Sequence, residues 1–304
     1  MENIDQIDQK ELMQALEEKR ASRRKAMLLG GAALAGLALT RSAFAQTITD
    51  ADILNFALNL EFLEAQYYTL ATTGTTIDVA AGISIKGGNG QAGGTVTVKS
   101  NPKVTFTDTF TQDFAMEVAM DEQNHVKFLQ TNLSTSAVAM PNIDLMNSFN
   151  ALAQAAGLGS SFDPFANQTN FLLGAFIFED VGVTAYQGAA PALSSKTYLD
   201  KAVGIHNVEA YHAASIRTRI FQAGSSAMQA SQMIAMTRAK LDGTNNDDIG
   251  VSVASNGAAT IVDADANART YARTTSQILS IVYGGGAAGT GGAFFPNAMN
   301  GTIK

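Results

Sequence analysis

Cysteine is absent from the 304 residues. Without thiols the chain can form neither a disulfide nor a thiolate metal site, which excludes zinc-ribbon, iron–sulfur and cysteine-nucleophile chemistry. No tract is long and apolar enough for a convincing membrane span. Basic residues are in deficit: 20 Lys+Arg stand against 27 Asp+Glu, and an acidic chain is a poor partner for nucleic acid. Histidine is scarce, at positions 125, 206 and 212 only. Glutamate is nearly as scarce beyond residue 45, at 61, 64, 117, 122, 179 and 209. Few titratable side chains remain to carry chemistry, so where each one falls is informative.

What is present begins with a segment of targeting type. "ASRRKAMLLGGAALAGLALTRSAFAQ" contains adjacent Arg23 and Arg24, an apolar stretch from Ala26 to Leu39, Arg41, and a small-x-small site at Ala43-Phe44-Ala45. This is the pattern of a twin-arginine export signal. It predicts a signal segment over 1–45, a single domain over 46–304, and an exported protein, periplasmic or extracellular. That route carries folded cargo and suits a protein loaded with a cofactor before export. The hydrophobic fraction of 46% is ordinary for a globular protein.

Apolar residues recur at helical spacing from Asp50, as Ile53, Leu54, Phe56, Ala57, Leu60 and Leu63, predicting a helix over 50–72. Residues 73–106 change character to Thr, Gly and Val. Alternation in "ISIK" and "TVTVK" about a Gly-Asn-Gly turn predicts a β-hairpin insertion. A second long helix is expected from Thr107 or Asp108, and a short one over 142–156. A third long helix should start near Pro164 and run to about Ala189, and a fourth spans 194–223. Further helices are expected over 225–241 and 265–283, with a flexible tail whose "AFFP" docks on the body.

Two of the three histidines lie in Glu-x-x-His: "EQNH" at 122–125 and "EAYH" at 209–212. Residues three apart share a helix face, so each pair can reach one point off its axis. That is what a carboxylate-bridged dimetal site requires from two of four helices; the other two each supply one inward glutamate. Glu61, in "LNLEFLEAQYY", and Glu179, in "FEDVGVTAYQ", are placed to do so. Glu179 sits in an apolar run from Phe171 past Tyr186 that contains no basic residue. A buried carboxylate there needs a partner, and a metal ion could be that partner. Tyr68 follows Glu61 by seven residues and Tyr186 follows Glu179 by seven, so the chain reads as two copies of one helix pair. Four carboxylates and two neutral imidazoles would balance two divalent cations.

The segments "LNFALNLEFLEAQYY", "DEQNH", "FEDVGVTAYQGAAP" and "FFPN" resemble the ferritin-like proteins of the desiccation-related branch, over most of residues 50–300. The resemblance implies an all-α, ferritin-like four-helix bundle with extra C-terminal helices. It implies Glu61, Glu122, His125, Glu179, Glu209 and His212 as metal ligands, bridged by Glu122 and Glu209 or by the single glutamates. It also implies a stress-protection setting. The expected cofactor is two divalent metal ions, iron or manganese, reacting with O2 or hydrogen peroxide as a ferroxidase or peroxide-consuming protein. A non-catalytic protective or scaffolding protein with a vestigial site is the alternative, and metal storage in a closed shell a third. The insertion argues against a 24-subunit cage; a smaller homo-oligomer is compatible with the sequence.

Plainer readings stand beside these. Glu64, one turn from Glu61, is either an alternative ligand or an ordinary partly exposed position. Glu117 should point elsewhere. His206 could take the place of His212, although the order in the first motif favours His212. Asp121 and Asp180 adjoin ligands and either bond an imidazole or stay exposed. Tyr68 and Tyr186 either bond carboxylates or are plain core residues.

Overall fold

The computed structural model describes residues 47–244 and 248–304. The expected signal segment lies outside the described residues. Among them, eight α-helices run in the order α1 (Asp50–Thr73), α2 (Ile77–Ala80), α3 (Thr109–Leu133), α4 (Asn147–Ala155), α5 (Gln168–Ala189), α6 (Lys196–Ala223), α7 (Ser225–Leu241) and α8 (Thr275–Val282). Two short strands, β1 (Val96–Thr97) and β2 (Ile143–Asp144), pair in parallel. The long helices α1, α3, α5 and α6 form the expected four-helix bundle, with α1 packed mainly on α3 and α5 mainly on α6. No helix among the described residues is long and apolar enough to cross a membrane.

Local sequence sets the helix ends. Thr49 and Asp52 form a capping box at the start of α1, and Gly74 ends it in the left-handed conformation at φ 86°. Asp108 accepts from the Thr111 amide at 2.9 Å to open α3. The third long helix starts later than Pro164 suggested. Asp163 accepts from the Phe165 amide at 2.9 Å and closes a turn, and Asn167 then caps α5 through the Asn170 amide at 2.9 Å. The last helix is shorter than the 265–283 expected. Asp265 Oδ1 accepts from the amides of Asn267 and Arg269 and holds that stretch as a loop. Thr274 and Gln277 then form the capping box of α8.

The insertion exists, but it is not a hairpin. Beyond the turn bond from the Gly87 amide to the Gln91 carbonyl (2.9 Å), its two arms pair not with each other but with the connection that follows α3. The Met140 amide donates to the Ile85 carbonyl (3.0 Å), and the Gly94 amide to the Met140 carbonyl (2.7 Å). The Ile143 amide donates to the Thr95 carbonyl (2.9 Å), and the Leu145 amide to the Thr97 carbonyl (2.7 Å). The glycines read as turn residues serve this close approach. A Cβ on Gly94 would lie 2.5 Å from the Asn142 backbone nitrogen, and one on Gly88 would lie 1.9 Å from the Ser134 carbonyl oxygen. Sequence alternation cannot tell a local partner from a distant one.

Burial differs between the two kinds of long helix. Every residue of α5 from Phe171 to Tyr186 is buried, and α1 is buried on nearly every side. A helix apolar all round needs cover all round. The insertion and the C-terminal segment supply it: Asn59 Nδ2 donates to the Asn300 carbonyl at 2.9 Å, and Phe294 and Phe295 are fully buried. The tail is therefore packed rather than flexible. By contrast α3 and α6 bury one face each, and that face carries the Glu-x-x-His motifs.

The C-terminal region is pinned to α5 by buried charge. Asp180 Oδ2 accepts from Arg217 Nη1 and Arg238 Nη2, both at 2.9 Å. Arg238 also donates to Asp248 at 2.6 Å, and Arg273 donates to Asp248 at 2.9 Å and to Asp242 at 2.7 Å. Asp263 lies beside this network with both carboxylate oxygens shielded and unpartnered. Burial, then the Asp180 and Asp248 carboxylates, push its pKa from 3.8 up to about 8. Between those values the folded chain holds a proton there that the unfolded chain has lost, so stability falls as pH rises through that window. Asp263→Asn is expected to flatten this dependence, read as the urea midpoint against pH; an unchanged slope would remove Asp263 as its source.

Candidate metal centre

One glutamate on α1 (Glu61), one on α5 (Glu179) and the two motifs on α3 and α6 meet in the middle of the bundle. Glu61, Glu122, Glu179 and Glu209 have no solvent exposure, and His125 and His212 are buried. His125 Nδ1 lies 3.1 Å from Glu61 Oε2, 3.3 Å from Glu122 Oε2 and 3.4 Å from Glu209 Oε1. His212 Nδ1 lies 3.1 Å from Glu122 Oε1 and 3.4 Å from Glu179 Oε2. The two imidazoles are 6.3 Å apart, ring centre to ring centre.

Two groups result. Glu61, Glu122, His125 and Glu209 bring one ligand atom each within 4.8 Å of one another, and so do Glu122, Glu179, Glu209 and His212. Glu122 and Glu209 belong to both groups, one on each motif helix. The motif glutamates, one of the two pairs the resemblance allowed as bridges, are the pair placed to reach both groups. The single glutamates each serve one group.

His125 Nδ1 is within hydrogen-bond distance of Glu61 Oε2 and Glu122 Oε2, but other inward atoms lack hydrogen-bond partners among the described residues. Glu122 Oε1, Glu179 Oε2, both oxygens of Glu209 and His212 Nδ1 are buried and unpartnered, despite the short approach of Glu122 to His212. Close but misaligned acceptors are the arrangement expected where a cation, rather than a shared proton, is to be held. The set is all oxygen and imidazole nitrogen, which suits iron and manganese alike.

The electrostatics follow from crowding. Burial, with repulsion from Glu122 added, raises Glu61 to about 7. Burial and neighbouring carboxylates push Glu64 and Glu209 well above the usual carboxylate range. Burial would also raise Glu122, but His125 and His212 on either side hold it below its ordinary value. Burial opposes charge on the imidazoles, yet Glu61 and Glu122 raise His125, and Glu179 raises His212. The cluster thus retains protons that cations would displace.

Tyrosines tie the two halves together. Tyr68 on α1 donates to Glu179 Oε1 on α5, and Tyr186 on α5 donates to Glu61 Oε1 on α1. Each sits two turns from the glutamate of its own helix and bonds that of the other. Both tyrosines are buried and both hydroxyls are used, so the plain-core reading does not hold.

The remaining candidates separate cleanly. Glu64 is not exposed; it is buried at 4% and makes no hydrogen bond to a described residue, but it belongs to neither group. Glu117 is exposed. His206 is half-buried and in neither group. Asp121 Oδ2 lies 3.2 Å from Nε2 of His212, whereas Asp180 faces Arg217 and Arg238. No motif pointed to Gly182. A Cβ there would lie 2.6 Å from Glu209 Oε2, so only glycine leaves that carboxylate its place.

The ferritin-like domain family matches residues 49–222, the stretch holding all six of these side chains. The chain belongs to that family. Among curated proteins, this ferritin-like chain is 28% identical to a desiccation-related protein of Craterostigma plantagineum over 271 residues, 83% of each chain. It is 27% identical to a ferritin-like catalase of Nesocodon mauritianus over 270 residues, 84% of each. No solved structure matches.

Proposed function

We propose that the protein is an exported dimetal-carboxylate protein that consumes peroxide or oxidises iron in stress protection. The carrying observation is the pair of four-residue groups that share Glu122 and Glu209. One ion would be held by Glu61 and His125, the other by Glu179 and His212, with Glu122 and Glu209 between them. Iron or manganese there would supply a two-electron redox couple for O2 or hydrogen peroxide. Around it, the chain's own residues do recognisable work. Tyr68 and Tyr186 fix one oxygen of each single glutamate and leave the other turned inward. The apolar surfaces of α1 and α5 exclude bulk water, which favours a small uncharged oxidant. The similarity to a protein named as a catalase favours hydrogen peroxide over O2 as that oxidant.

The similarity to a protein named as desiccation-related favours a second reading, a protective protein without turnover. Loading the purified protein with Mn(II) or Fe(II), then measuring bound metal and peroxide loss together, separates the two. Peroxide loss that vanishes in His125→Ala and His212→Ala supports the first reading. Bound metal without peroxide loss or iron oxidation supports the second, and absence of metal sinks the dimetal reading itself. Export rests on the Arg23-Arg24 segment and is tested by fractionation with both arginines changed to lysine.

A further inference from the structure

The cage carries an internal twofold repeat. Glu61 matches Glu179, Tyr68 matches Tyr186, Glu122 matches Glu209 and His125 matches His212. The reciprocal tyrosine bonds obey this relation. Two of the departures from it lie beside the ligands. One residue before Glu122 stands Asp121; one residue before Glu209 stands Val208. Three residues after Glu61 stands Glu64; three after Glu179 stands Gly182.

The first break bears on the imidazoles. Asp121 and Val208 are both half-buried, as equivalent places on α3 and α6 should be. Asp121 reaches across to α6, with Oδ2 3.2 Å from Nε2 of His212, while Nδ1 of that ring faces Glu122 and Glu179. By the repeat, Val208 is the residue that would reach His125, and it has no polar atom to offer. Nε2 of His125 makes no hydrogen bond to any described residue. A carboxylate behind an imidazole fixes the proton on the far nitrogen, locks the ring and aims the near lone pair at the metal. Only one of the two rings has that support.

Resting on the dimetal reading above, we infer that the two metal positions are inequivalent: the one beside His212 holds its ion more tightly, and the one beside His125 is the exchangeable one. Asp121 is a positioning residue, acting through His212. The second break adds to the inequivalence without ranking the two positions, because Glu64 and Gly182 give the two halves of the cage different surroundings. A Cβ at Gly182 would meet Glu209 Oε2 at 2.6 Å and Glu64 Oε1 at 3.4 Å, so both carboxylates lie against this glycine.

The test is stepwise binding of Mn(II) to the purified metal-free protein, read by calorimetry and by anomalous scattering from crystals soaked below saturation. Two binding steps separated by about 10–100-fold are expected, with the His212 position filled first. Asp121→Ala should weaken the tight step by about that factor and leave the other in place. Val208→Asp supplies the missing carboxylate, and should tighten the weak step without touching the tight one. This second variant removes no hydrogen bond or ion pair, so it keeps the test valid if Asp121→Ala folds poorly. Equal occupancy of both positions, first filling at His125, or Val208→Asp binding like the parent would overturn the inference while leaving a dimetal centre standing. No Mn(II) or Fe(II) binding at all would instead remove the reading on which it rests.

Discussion

Glu122→Ala is expected to abolish both metal positions at once. Glu122 is in both four-residue groups and approaches both imidazoles, at 3.3 Å from His125 and 3.1 Å from His212. Loss of a residue that only supports a ligand costs about 10–100-fold in affinity. Loss of a ligand common to both ions should exceed that at each position. Metal analysis after reconstitution should find almost none, whereas His125→Ala and His212→Ala should each spare the opposite position in part. The metal-free variant should still fold, because removing one carboxylate from a crowded buried cluster relieves repulsion as well as removing partners. Retention of both ions by Glu122→Ala would show that the bridge is built from other residues.

Asp180→Ala should produce the largest loss of stability. Two buried guanidiniums, Arg217 and Arg238, converge on one oxygen of Asp180. Removing that carboxylate leaves Arg217 with carbonyl partners only, at Ile249, Ile261 and Thr260. Breaking a buried pair in this way costs about 3–5 kcal/mol, or roughly 10 °C in melting temperature for a domain of this size. The comparison is Lys99 with Asp163, a shorter pair at 2.6 Å whose side chains are 34% and 41% exposed. Asp163 also holds a turn through its other oxygen, so the control is Lys99→Ala, expected to cost about 1 kcal/mol or less. Thermal melts of the metal-free proteins check both. Earlier proteolysis within 224–304 in Asp180→Ala would locate the loosened part, and equal losses in the two variants would refute the assigned role of burial.

Much of the site was legible because metal chemistry constrains both residue type and spacing. A spacing of three from Glu to His fixes a shared helix face, and only three histidines compete for the role. The helix starts at Thr49 and Asp108 were legible for a similar reason, since capping is local. The insertion was not, because alternation in "ISIK" and "TVTVK" marks extended backbone without naming its partner. Glu64 was misjudged as partly exposed because helical spacing gives an angle, and cover from α5 and the C-terminal segment is not local. Arg217, Arg238 and Arg273 carried no motif; an isolated basic residue in an amphipathic helix reads as surface.

By itself the sequence determined which side chains could form the cage, since that depends on periodicity within single helices. It also determined that the chain divides into two like pairs, since Glu, Tyr and Glu-x-x-His recur in order. Only the tertiary structure decided which glutamates stand between the two imidazoles, which tyrosine bonds which carboxylate, and that Asp121 supports one ring while the other stands without help. Those are relations between helices. They depend on rotation and approach across the bundle, which intervening connections and packed side chains set together, and which no spacing along one chain segment encodes.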